Sequence, residues 1–220
     1  MADDRDELGK TVKRIAATIN RRGHATWFHT DNEFQDAGEK YSVAQWANVM
    51  NERHGWNIRA IRKNPRDYPD CLADFGPDGA HRPEIMGVEV TELVDKAAIG
   101  AHQMERRLAE ADELKNLSDA ERRDLLWRKW PEWPVDKFKE RLAERVCDKD
   151  TRSRDRSLKK QFLLVVTDEW LLDERTVGQY LDEVTQPHPR TYDADNLMLS
   201  YMPSHGNDGY YPVFEVPLDP

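Results

Sequence analysis

An α/β fold is predicted by three features of the chain. Gln161-Phe162-Leu163-Leu164-Val165-Val166 is a continuous apolar run of the kind that forms a central, buried strand. Gly76-Pro77-Asp78-Gly79 is the strongest turn signal in its region and separates two strand-like segments, 70–75 and 85–91, which together read as a β-hairpin. Helical periodicity precedes this hairpin and returns between it and the apolar run. The resulting core order is helix, three strands, helix, strand.

Taken from the beginning, Leu8, Val12, Ile15, Ala16 and Ile19 stand at helical spacing and predict an amphipathic helix over 5–20, ended by Arg21-Arg22-Gly23. Residues 24–41 are mixed, with Trp27, Phe28 and Phe34 expected to pack on the core. Ser42 is the expected N-cap of a helix over 43–53, on which Val43, Trp46, Ala47 and Met50 share a face and which Gly55 closes. Trp56-Asn57-Ile58-Arg59-Ala60-Ile61 alternates as a half-buried strand.

Beyond the hairpin, 97–130 reads as two charged helices, the second opened by the capping box Ser118-Asp119-Ala120-Glu121. Pro131 and Pro134 punctuate, and a helix over 135–149 carries Phe138, Leu142 and Val146 at steps of four. A helix over 174–184 and strands near 196–202 and 211–218 follow, Pro212 and Pro217 confining the last strand to a sheet edge. The expected organisation is a single domain over 1–220. It comprises an N-terminal helical extension (1–41), a core (42–96 and 131–167), a helical insertion (97–130) and a C-terminal helix and strands (168–220).

Composition narrows the function classes. Charged residues make up 34% of the 220 and the apolar set 38%, which describes a modest core under a very polar surface. Nothing approaches the roughly 20 consecutive apolar residues of a membrane span. The acidic start, Met1-Ala2-Asp3-Asp4-Arg5-Asp6, has no apolar signal region, so a cytoplasmic protein is expected. Cys71 and Cys147 have no paired spacing and read as reduced thiols. A net charge of −9 argues against non-specific coating of nucleic acid, although basic residues cluster at Arg59, Arg62, Lys63 and Arg66, and again at Arg152, Arg154, Arg156, Lys159 and Lys160. Each cluster, taken alone, also fits a solvated face. The histidines show no metal-ligand spacing, and no phosphate-binding glycine loop or nucleophile elbow occurs.

Two carboxylates carry the chemical signal. Asp70 closes Tyr68-Pro69-Asp70 and Glu89 interrupts Ile85-Met86-Gly87-Val88-Glu89-Val90-Thr91, placing one acid on each strand of the hairpin. A carboxylate within an apolar strand is costly to desolvate unless compensated, and a divalent cation is one compensation. Taken alone, Asp70 also fits a turn after Pro69 and Glu89 a solvent-facing strand position.

The element order, with Pro69-Asp70 on the second strand and Glu89-x-Thr91 on the third, resembles the PD-(D/E)xK nuclease superfamily over roughly 42–167. The resemblance implies a restriction-endonuclease-like core, a mixed sheet flanked by helices, and a Mg²⁺-dependent nuclease in which Mn²⁺ can substitute. It implies Asp70, Glu89 and the Val90 carbonyl as metal ligands, and nucleic acid, DNA before RNA, as substrate, in a microbial defence or repair setting.

This chain departs from the family pattern at Thr91, where a lysine is usual. Thr91 shares the face of Glu89 but carries no positive charge. Lys149, three residues after Val146 and seven after Leu142, falls near the inward face of its helix and is the expected substitute, as in members whose lysine has migrated to this helix. A cation at a helix C-terminus, favoured by the dipole, is the plainer reading of the same residue. Lys160 and Lys96 rank below it. Glu52 as an added ligand, Glu92 and Asp95 as supporting residues, and Trp127, Trp130 and Trp133 as base-stacking groups rank lower still, packing being the expectation for the tryptophans. Arg59, Arg62, Lys63, Arg66, Arg152 and Arg154 are the expected nucleic-acid contacts. The alternatives are a catalytically inactive module of the same fold that binds nucleic acid or a partner protein, and a toxin-like or partner subunit acting through 97–130. A homodimer, or a place in a larger system, is compatible with each.

Overall fold

The computed structural model describes residues 32–66, 68–76, 83–95, 118, 132–151, 155–167, 169, 172–183, 192–199 and 211–216. Its elements are α1 (Asn32–His54), β1 (Arg59–Lys63), β2 (Cys71–Phe75), β3 (Glu84–Glu92), α2 (Val135–Lys149), β4 (Lys160–Thr167), α3 (Glu174–Leu181), β5 (Ala194–Leu199) and β6 (Val213–Glu215). The chain divides into two compact units, 1–37 with 94–132 and 38–93 with 133–220. The second holds the six strands found among the described residues. The expected helices over 5–20 and 97–130, with Trp27, Phe28, Lys96, Trp127 and Trp130, lie outside the described residues. Phe34 is described in its backbone alone.

The six strands form one mixed sheet in chain order. β1–β2 and β2–β3 are antiparallel, β3–β4 and β4–β5 parallel, and β5–β6 antiparallel. Helices cover both faces of this α/β unit. On one face Trp46 of α1 packs its ring 5.3 Å from that of Phe162. On the other, Phe138, Leu142 and Val146 of α2 and Val177 and Leu181 of α3 share a core with Leu163, Val165 and Leu197. Burial on both sides explains the unbroken apolar stretch of β4, since alternation is expected only where one face meets water. β6 is an edge strand, as the flanking prolines predict. No helix among the described residues is long and apolar enough to cross a membrane.

The bounds of several elements differ from expectation: β5 and β6 begin at Ala194 and Val213, not 196 and 211, and α1, β1 and α3 differ for local reasons. α1 begins at Asn32, so 32–41 is helical and Ser42 is a buried interior residue instead of the N-cap. The preceding turns carry Phe34, Ala37 and Tyr41 at helical spacing, but among polar residues and Gly38, a weaker stripe than that of the later turns. Gly55, at φ +65°, closes α1 as expected, its N–H donating to the Asn51 carbonyl. β1 starts at Arg59, not Trp56, because Asn57 takes a left-handed backbone and the Asn51 side chain holds both the Ile58 N–H (2.6 Å) and the Ile58 carbonyl (3.0 Å). α3 stops at Leu181, and its start is fixed by Asp173, whose carboxylate accepts from the Thr176 N–H.

Candidate metal and nucleic-acid site

The hairpin register decides whether the two carboxylates meet. Cys71 pairs with Val88, so continuing by one residue sets Asp70 opposite Glu89, on the face shared with Gly87 and Thr91. Asp70 is half-buried just before β2, and its Oδ2 accepts from the Val90 N–H at 2.8 Å. In an extended strand the N–H and C=O of a residue face the same neighbour. The Val90 carbonyl is therefore directed to the Asp70 side as well. The ladder cannot use it there, because the next position in register is Pro69, which has no N–H to give.

The approach to Asp70 is built by Asn64 and Gly87. Buried Asn64 donates from Nδ2 to the Tyr68 carbonyl (2.7 Å) and from its backbone to the Asp70 carbonyl (3.0 Å), while its Oδ1 accepts from the Arg66 N–H. Gly87 leaves the space that the Pro69 and Leu158 side chains occupy; a Cβ there would collide with both. Asp70 is thus held from its own loop and from β3.

Glu89 is fully buried in the middle strands, and its Oε1 lies 2.6 Å from the Lys149 Nζ. Lys149 is the last residue of α2, 24% exposed, and reaches the sheet because Phe138, Leu142 and Val146 anchor that helix on it. The structure therefore brings Asp70, Glu89 and Lys149 together. Burial pushes the Asp70 carboxyl up to about 6, and the Glu89 carboxylate pushes the same way. The Val90 N–H and the Lys149 and Lys63 ammonium groups pull it down. Two carboxylates crowded into a site of low polarity repel, and a divalent cation between them would relieve that repulsion.

The donor set fits a hard cation. Among the described residues no three His, Cys, Asp or Glu side chains group as metal ligands. Mg²⁺ does not require three, since it is commonly held through one or two carboxylates and keeps several waters. Asp70 and Glu89, with the Val90 carbonyl, would be its ligands here.

Other expected residues lie elsewhere or act otherwise. Thr91 is half-buried opposite Val165 on the Glu89 face. Lys160 pairs with Met86, on the opposite face, and its ammonium sits 5.1 Å from the centre of the Trp56 ring. Glu52 is exposed on α1 and lines a cavity of about 400 Å³ between α1, α3 and β6. Glu92 is half-buried on the face opposite Glu89, and Asp95 is buried beyond the strand end. Trp133 belongs to the core, as packing predicts.

Of the basic cluster, Arg59 donates to the Asn57 and Gly76 carbonyls, Arg62 pairs with Asp74 and Lys63 with Glu39, while Arg66 is exposed in the loop leading to Asp70. Arg152 and Arg154 lie outside the described residues. Three buried carboxylates, Glu39, Glu169 and Asp195, escaped the sequence reading. Glu39, 2.7 Å from the Lys63 ammonium, stands four residues before Val43 on the buried face of α1, a signal hidden once the helix was begun at Val43. Asp195, in register with Leu163 and so on the Glu89 face, precedes the expected start of its strand by one residue.

Compared with known protein families, with curated proteins and with solved structures, the chain matches none.

Proposed function

We propose that the protein is a metal-dependent nuclease of the PD-(D/E)xK kind, hydrolysing phosphodiester bonds of DNA. The observation that carries this reading is the 2.6 Å approach of the Lys149 ammonium to Glu89, beside an Asp70 carboxylate facing the same strand. A cation from α2 there stands in for the one missing at Thr91. The antiparallel, antiparallel, parallel order of β1 to β4, with α2 crossing between β3 and β4, is compatible with a restriction-endonuclease-like core.

Asp70, Glu89 and the Val90 carbonyl would hold Mg²⁺ or Mn²⁺, which supplies a lowered water pKa and charge stabilisation at the phosphate. Glu89 accepts from the Lys149 ammonium and holds it in place. Lys149 orients the attacking water through one donor and offers its charge to the phosphorane-like transition state. Arg66, exposed ahead of Asp70, would meet the flanking backbone phosphates.

Cleavage of single-stranded DNA, duplex DNA and RNA with Mg²⁺ or Mn²⁺ tests the reading. DNA is expected to be cut, with Asp70→Ala, Glu89→Ala and Lys149→Ala each losing at least about 100-fold in kcat, the scale for removing one electrostatic stabiliser. Wild-type protein inert on all three substrates would refute it. The same close pair also supports a second reading, an inactive module in which Lys149 replaces the metal as the partner of Glu89. That reading requires no Mn²⁺ binding at Asp70.

A further inference from the structure

Gln161 is an amide at the head of the apolar run Phe162–Val166 of β4, and it is fully buried. A buried amide is costly unless its hydrogen bonds are made. Its Oε1 accepts from the Asp155 N–H at 2.8 Å, and its Nε2 lies 3.4 Å from the Tyr68 hydroxyl. A backbone N–H can only donate, so the Asp155 contact identifies the oxygen end and turns the NH₂ toward Tyr68. The backbone is anchored as well, its N–H donating to Asp193 Oδ2 at 2.7 Å and its carbonyl accepting from the Asp193 N–H.

The amide joins two segments that lead from the site. Tyr68 and Pro69 precede Asp70, and Asp155 and Leu158 lie on the path from Lys149 back to the sheet. Gln161 pairs in register with Gly87, where the Pro69 and Leu158 side chains come together over the missing Cβ. Polar and apolar contacts between the two segments therefore coincide at one point, on the same sheet face as Glu89.

We infer that Gln161 is a positioning residue which, through the Tyr68 hydroxyl and the Asp155 amide, fixes the Asp70 carboxylate relative to the Lys149 ammonium. Its catalytic meaning rests on the proposed nuclease reading; the tie between the two segments does not. Leucine at this position would keep an apolar side chain in the strand but leave the Asp155 N–H and the Tyr68 hydroxyl without the amide that joins them.

The test compares Gln161→Leu and Tyr68→Phe with wild type in three measurements: amide hydrogen exchange of metal-free protein, Mn²⁺ affinity by electron paramagnetic resonance, and kcat and KM on duplex DNA. Protection at Asp155 and around Asp70 is expected to fall in Gln161→Leu. Mn²⁺ binding and kcat are expected to weaken by roughly 10–100-fold, the usual effect of losing a group that orients a ligand, with KM for DNA little changed. Tyr68→Phe keeps the ring and its packing, so it should weaken Mn²⁺ binding in the same direction without lowering the thermal midpoint. The two losses should be less than additive in the double variant. Wild-type Mn²⁺ affinity in both variants, alongside its loss in Asp70→Ala, overturns the positioning role and leaves the metal site standing. If wild-type protein binds no Mn²⁺, the nuclease reading fails, and unchanged exchange in Gln161→Leu then overturns the tie itself.

Discussion

Asp70 carries the pH dependence of the site. Its carboxyl is raised from the usual 3.8 to about 6 by burial and by Glu89, so in metal-free protein the folded state favours the protonated form. The stability this group contributes is complete below its unfolded value near 4 and is lost as pH rises through 6. Metal binding has the opposite slope, because the ligand must be the carboxylate. The rise in thermal midpoint produced by Mg²⁺ or Mn²⁺ is therefore expected to be small at pH 5 and to grow through pH 6 to a plateau near pH 7.5. A metal-induced shift equal at pH 5 and pH 7.5 would count against Asp70 as a ligand. The facing of Asp70 and Glu89 and the inward position of Lys149 on its helix were legible in the sequence, because turn chemistry, strand alternation and helical spacing are local rules. Gln161 and Glu39 were not, since a polar residue inside an apolar pattern is given meaning only by the partners that folding brings to it.

Among the elements, the β2–β3 hairpin depends on Gly87. Replacing a strand glycine by alanine ordinarily helps by restricting the unfolded chain. At Gly87 the sign reverses, since the new methyl must displace Pro69 and Leu158. Gly87→Ala is expected to destabilise by about 1–3 kcal/mol, the usual cost of overpacking, and to lower Mn²⁺ affinity by shifting the Pro69–Asp70 segment. Denaturant unfolding measures the first effect; an unchanged midpoint would mean that the segment can move aside freely. α2 and β4 were placed within a residue of their observed bounds, their apolar repeat being strong and their flanks marked by proline or charge. The start of α1 was missed for the opposite reason: its first turns carry only a thin apolar stripe, Phe34, Ala37 and Tyr41, interrupted by Gly38.

At the scale of the whole molecule, burial within the sheet and exposure on a covering helix give the two cysteines different fates. Cys71 is wholly buried on β2, and burial pushes its thiol up to about 12, whereas Cys147 is exposed on α2. An aromatic disulfide reagent is expected to titrate one of the 2 thiols in native protein and both in denaturant. Rapid reaction of both under native conditions would show that the β1 edge of the sheet opens readily. The α/β class and a sheet edge at β6 could be read from the chain, whereas the strand order could not. Parallel pairing of β3 with β4 and of β4 with β5 is decided by which helices cover which face, a long-range choice.

The bond between Lys149 and Glu89 spans 60 residues, whereas Asp70 and Glu89 belong to a local hairpin. During synthesis the two acids emerge first and can pair at once, but the ammonium arrives only after the following helix has been made and laid across the sheet. Under the proposed function, a nascent or partly folded chain would hold the acids without the cation and cut nothing. Competence to cleave would then be among the last properties the molecule acquires, which delays any damage to nucleic acid until folding is complete.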